Sequence, residues 1–223
     1  MNSDKKTAMI VGVLFIIGTV AGILSLLFSG PLRDPDYLIS VSANENQVIT
    51  GSLLVLIMAV ALAMVPVMMF PVFKKYNEAL ALGYVVFRGG LETVSSIAFV
   101  ISSLLLIPLS HDFVNAGSPD ASYFQNSGTL LLAAADQAST ILTIVFSLGA
   151  LMFYYLWYHS KLIPRWLSIW GLAGTVLYLT HGVLSLFGSG WEMLMAPLGV
   201  NEMVLAVWLI VKGFDQTQIV SEI

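Results

Sequence analysis

Leu80 to Ile107 reads LALGYVVFRGGLETVSSIAFVISSLLLI. A bilayer's hydrocarbon core, about 30 Å thick, takes roughly 20 helical residues, so this run is long and apolar enough to cross it. Yet Arg88 and Glu92 stand inside it. Spaced i and i+4, they share one face of a helix. A charge at membrane depth costs at least ~2.5 kcal/mol on the mildest scale, and it survives facing protein or water rather than lipid. The other hydrophobic segments must therefore bring partners to this face. The stretch predicts a multi-pass membrane protein with a polar interior, and it does not say what that interior is for.

Composition agrees. Hydrophobic residues make up 58% of the 223-residue chain and charged residues 10%, with a mean hydropathy of +0.90. Soluble domains carry about 25% charge, so this chain has too little polar surface to coat a soluble globule. The expectation is all-α: one transmembrane domain over residues 1–223, a bundle of six helices. Nine Lys and Arg with no basic cluster argue against nucleic acid as a partner. The absence of cysteine excludes a disulfide framework, a thiolate nucleophile and a cysteine metal site.

Outward from the charged stretch, the chain divides by its polar and proline-containing interruptions. Met1 to Lys6 is a short polar lead. The following apolar run is too long for a signal-peptide core and lacks a small-x-small cleavage site, so a first transmembrane helix is expected over 7–28. Gly18 and Gly22 give it a small-xxx-small packing spacing. Residues 29–47 form a connection with room for a short interfacial helix. Helix two is expected over 48–73, kinked by Pro66 and Pro71, with Met58, Met64, Met68 and Met69 as adaptable core packing. Helix three covers 79–108, ended by Pro108. A connection with His111, Asp112 and Asp120 leads to helix four at 127–158. Helix five covers 166–187, and helix six 194–212 with Pro197 in its tolerant first turn.

Six spans put both termini on one side. Lys5, Lys6, Lys74, Lys75, Lys161, Arg165 and Lys212 fall on that side and Arg33 on the other. The positive-inside rule then makes the termini cytoplasmic and the location the cell (cytoplasmic) membrane. Phe153, Tyr154, Tyr155, Trp157, Tyr158, Trp166 and Trp170 read as an aromatic belt at that interface.

The polar residues inside the spans are the candidate site. Depth estimates at about 1.5 Å per residue put Arg88 near mid-membrane, with Glu92 a turn outward. Asp136 and Gln137 enter from the outer end of helix four, and Asn201 and Glu202 from the outer end of helix six. His181 lies nearer the outer mouth of helix five. Asp136, Thr140, Thr143 and Ser147 follow i, i+4, i+7, i+11, one polar stripe on an apolar rod. Arg88, Glu92, Ser95 or Ser96, and Ser103 make a second, and Thr175, Tyr178, His181 and Ser185 a third. The expected intramembrane cluster is Arg88, Glu92, Asp136, Gln137, His181, Asn201 and Glu202. One Arg against three carboxylates leaves surplus negative charge, to be met by a proton or by water. The bland alternative is an ion pair that only fixes helix register.

Catalytic signatures are missing. There is no GxSxG elbow, HExxH, phosphate-cradling Gly loop or CxxC. His111 and His159 fall on opposite sides of the membrane, so the three histidines do not form one zinc site. No cofactor or metal is implied. The glycines of Arg88-Gly89-Gly90 permit close helix contact, or loosen the helix beside the Arg.

Three segments carry a family resemblance: GYVVFRGGLE at Gly83 to Glu92, LGALMFYYLWYHSKLIPRWLSIWGLAG at Leu148 to Gly174, and NEMVLAVWLIVKGF at Asn201 to Phe214. Through them the chain resembles, over nearly its whole length, an uncharacterised family of bacterial and archaeal membrane proteins, domain of unknown function 4386. The family keeps an Arg and an acid in helix three and a Glu early in helix six, which Arg88, Glu92 and Glu202 match. The resemblance implies six membrane helices and no established activity.

Three functions remain open at this point. The core binds or moves a small molecule, proton or cation through Glu92, Asp136 and Glu202 with Arg88 as counter-charge. Alternatively the polar core only specifies packing in a structural or regulatory protein. An intramembrane enzyme using Glu92 or Asp136 with His181 is the third, and the lack of a nucleophile–base pair or metal triad argues against it. The lipid bilayer is the one partner the sequence names; a small-molecule or ion ligand and the oligomeric state stay unread.

Overall fold

The computed structural model describes residues 3–116 and 121–215. Among them every regular element is helical: α1 (Ser3–Leu27), α2 (Gly30–Arg33), α3 (Tyr37–Ala43), α4 (Glu45–Phe73), α5 (Glu78–Tyr84), a π-helical segment (Val85–Leu91), α6 (Glu92–Ala116), α7 (Ala121–Ser160), α8 (Arg165–Leu186), a 3-10 turn (Glu192–Met195) and α9 (Ala196–Val211). The α5, π and α6 segments run on as one rod. Six helices are long and apolar enough to cross a membrane, and the chain is a multi-pass membrane protein.

Large apolar side chains are exposed on every spanning helix, for example Ile23, Val60, Val94, Ile141, Val176 and Val207. In water such a surface would aggregate; in a bilayer it is the lipid-facing side. Inside, helices α1, α4, α7 and α9 meet around Phe15, Val65, Met69, Phe73, Phe153, Trp157 and Leu205. Phe153 is the hub. Its ring stacks on Tyr84 at 4.8 Å and meets Trp157 edge-on at 5.6 Å and Phe15 at 5.8 Å. Aromatic pairs of this kind add about 0.5–1.5 kcal/mol beyond burial, which matters where lipid offers no hydrophobic drive between helices. The expected interfacial belt is corrected accordingly: Phe153, Tyr154 and Trp157 are core residues, whereas Tyr155, Tyr158 and Trp166 are exposed.

Two boundaries differ from expectation. Helix three does not stop at Pro108 but continues to Ala116 with the proline inside it. Proline forfeits one backbone hydrogen bond; α6 packs against α3 and α7 and continues past it. Helix four starts by Ala121 rather than Ser127 and runs 40 residues, about 60 Å. Both rods exceed the ~30 Å core, so their paired ends project beyond it. There, α3 closes on them: Val41 packs with Leu106 and Ile107, and the Tyr37 hydroxyl donates to the Gln125 carbonyl at 3.1 Å. The interfacial helix expected in the 29–47 connection is thus two short helices, α2 and α3. Asp120 and residues 216–223 lie outside the described residues.

Candidate functional site: a guanidinium between two carboxylates

The π segment is where the site is built. Seven residues, Val85–Leu91, leave the α pattern, with Arg88 at their centre and Gly89 and Gly90 after it. Glycine is the residue with the most backbone freedom; a Cβ at Gly89 would meet Pro66 at an ordinary contact distance of 3.5 Å, and one at Gly90 would meet nothing. Single-turn π bulges are rare and concentrate at functional sites; this one is a full seven residues. Two neighbours clamp it. Gly149 of α7 abuts the backbone of Arg88, so near that a Cβ there would lie 3.3 Å from the Arg88 nitrogen and 3.3 Å from the Phe87 Cβ. On the other side Gly89 faces Pro66 and the Ala63 carbonyl of α4. Beyond the segment, Thr93 donates to the Gly89 carbonyl at 2.8 Å and Ser95 to the Leu91 carbonyl at 3.0 Å. These hydroxyls satisfy carbonyls where the helical register changes.

Held this way, Arg88 is buried, its side chain 3% exposed. Its Nη1 donates to Glu92 Oε2 at 3.1 Å, and its Nη2 lies 3.5 Å from Glu202 Oε1 on α9. The guanidinium also sits over the Phe146 ring, 4.4 Å from its centroid, and 6.0 Å from that of Phe15. A cation over an aromatic face gains about 2 kcal/mol when desolvated. Glu92 is almost as buried as the arginine, while the Glu202 side chain is 16% exposed. The trio draws on α6, α9 and the π segment, at about 15 Å of helix from both Glu78 and Val211.

The other expected members do not join it. Asp136 and Gln137 are exposed on α7. The buried stripe of α7 at this level runs through Ala135, Ala138 and Thr143, and Asp136 stands about 100° around the helix from Ala135. Asn201 is fully buried but serves α8, donating from Nδ2 to the Leu167 carbonyl at 3.0 Å. His181 is half-buried, and its Nδ1 has no hydrogen-bond partner.

The polar stripes also resolve differently. Thr140, Thr143 and Ser147 each donate to the carbonyl four residues back on their own helix, as do Ser103, Thr175 and Ser185. The hydroxyls pay their own desolvation locally and carry no interhelical network. Among the described residues no three His, Asp or Glu side chains gather as a metal-binding group. Sequence reasoning missed Phe146 and Phe15, whose rings lie against the guanidinium, and Gly149, which abuts the Arg88 backbone. The Gly89-Gly90 pair beside an intramembrane Arg was the available signal for the π segment.

The geometry can hold a charge inside a membrane, and it has one carboxylate more than the guanidinium neutralises. The family profile described as Domain of unknown function (DUF4386) matches residues 10–213. Comparison with curated proteins and with solved structures finds no match.

Proposed function

The chain belongs to the DUF4386 family, whose function is unknown, and we propose from the geometry that Arg88, Glu92 and Glu202 form an intramembrane proton-binding site. One observation carries this reading: a single buried guanidinium lies between a buried carboxylate, Glu92, and a partly buried one, Glu202. With both acids ionised the group bears a net charge of −1 (one positive, two negative). An uncompensated charge in the bilayer interior is costly, and a proton on one acid removes it without any further ligand. Glu92 is the tighter partner, at 3.1 Å with a hydrogen bond. Glu202, longer at 3.5 Å and more exposed, is the carboxyl that exchanges. Proton exchange at mid-depth fits a protein that couples a proton, or a cation in its place, to an event on one face of the membrane. In this reading the membrane is the cell membrane with both termini cytoplasmic, from the distribution of Lys and Arg.

Infrared difference spectroscopy of the purified protein tests it. A protonated-carboxyl carbonyl band that titrates with pH and disappears in Glu202→Gln is the expected result. A wild-type spectrum without such a band overturns the proton reading. The purely structural alternative draws support from the locally satisfied hydroxyls. It predicts no titrating band and equal destabilisation by Glu92→Gln and Glu202→Gln.

A further inference from the structure

The terminal face of the bundle carries a second charged feature, remote from the trio. Between the α7–α8 connection and the end of α9 lies a cleft of about 470 Å³. Among the described residues Lys161, Arg165 and Lys212 line it with Asp215 as the one acid, an excess of two positive charges. Lys5 of α1 approaches the same rim, its Cγ beside Gly213. The cleft is part of the fold. The Asp215 amide donates to the Leu162 carbonyl at 2.9 Å, and buried Phe214 packs on Trp157 at 5.6 Å. These contacts pin the end of α9 to the connection and set the three cations around one space.

Two further observations bear on what fills it. Lys161 has a φ of 55°, the left-handed region, at the end of α7. Glycine is the residue that normally closes a helix in this conformation, and Gly213 does so at the end of α9 with a φ of 72°. A lysine held there is a costlier choice than glycine, and it puts a cationic residue in the lining of the cleft that glycine would omit. Aromatic residues mark this end of the bundle: Trp208 lines the cleft, and the exposed Tyr158 and Trp166 belong to the last turn of α7 and the first turn of α8, with Arg165 over the Tyr158 ring at 5.4 Å. Amphipathic rings gather at headgroup level. A basic pocket between helix ends at that level matches the phosphate of an anionic lipid.

We propose that this cleft binds the phosphate of an anionic lipid headgroup through Lys161, Arg165 and Lys212. The uncapped start of α8 at Arg165 adds amide donors on the same side, as a helix N-terminus favours anions. The cleft and the trio are independent: either holds if the other fails.

The test is lipid-dependent thermal stability of the whole protein in detergent. Phosphatidylglycerol is titrated against phosphatidylcholine, with inorganic phosphate as a separate arm. Phosphatidylglycerol should stabilise the wild type selectively. Replacing Lys161, Arg165 and Lys212 by Gln should weaken its apparent affinity about a hundredfold, from roughly 1 kcal/mol per cation. Lys74→Gln with Lys75→Gln removes two cations from the same face outside the cleft and should retain the selectivity. Lys161→Gly should keep or raise stability in phosphatidylcholine while losing about fivefold in phosphatidylglycerol affinity. Equal response to both lipids overturns the proposal. So does an equal loss in the Lys74/Lys75 variant, which would mean general surface charge, or full stabilisation by inorganic phosphate, which would mean a soluble ligand.

Discussion

Arg88 and Asp136 stand in similar sequence, each a charge within a long apolar run, and the fold treats them oppositely. Arg88 is enclosed by two carboxylates and two aromatic rings. Asp136 faces outward beside a stripe of small buried residues. A charge inside an apolar run is therefore informative only together with its depth and its angle on the helix. Arg88 lies ten residues into its span and is buried, where the bilayer enforces partners; Asp136 lies on an exposed face of α7.

The largest expected effect breaks the enclosed side of that contrast. Arg88→Leu leaves two buried acids facing each other and should cost about 3–5 kcal/mol, read as a drop in melting temperature in detergent. Converting Arg88, Glu92 and Glu202 together to Leu should recover most of that loss, because a buried ion cluster often exchanges for apolar packing at no cost. A triple variant as unstable as Arg88→Leu would show that the trio is required for folding, and would count against the proton site. Next comes the clamp. Gly149→Val pushes a side chain into the Arg88 backbone and should cost about 1–3 kcal/mol. A neutral result would mean that α7 does not fix the π segment. At the small end, Asp136→Asn, on an exposed face of α7, should leave the melting temperature unchanged. Glu45→Gln, which removes the exposed pair with His111 at 3.6 Å, should change stability by less than about 1 kcal/mol. An Asp136→Asn variant as unstable as Arg88→Leu would erase the contrast between the two charges.

Much of the candidate site was legible residue by residue. Arg88 and Glu92 share a face by spacing alone, and Glu202 stood at matching depth; these three meet. Depth and stripe group Asp136, Gln137, Asn201 and His181 with them, but among the described residues the guanidinium's ion-pair partners are Glu92 and Glu202. The hydroxyl stripes were real as periodicities, but each hydroxyl returned to its own backbone. Periodicity records which residues share a face, not which face another helix covers.

By itself the sequence determined the number of spans, their approximate limits and the Arg88–Glu92 pair. Each follows from a local rule: apolar length against bilayer thickness, or the 3.6-residue turn. Tertiary structure alone decided that Glu202 and not Asp136 completes the trio, that Val85–Leu91 is π-helical, and that Phe153, Tyr154 and Trp157 are core. The physical reason is common to all three. In water a helix shows its buried side by being apolar on one face, but in lipid the outer face is as apolar as the inner one. The pattern that orients a soluble helix is absent, and the angle of each helix is set by close packing at positions such as Gly149 and Gly89.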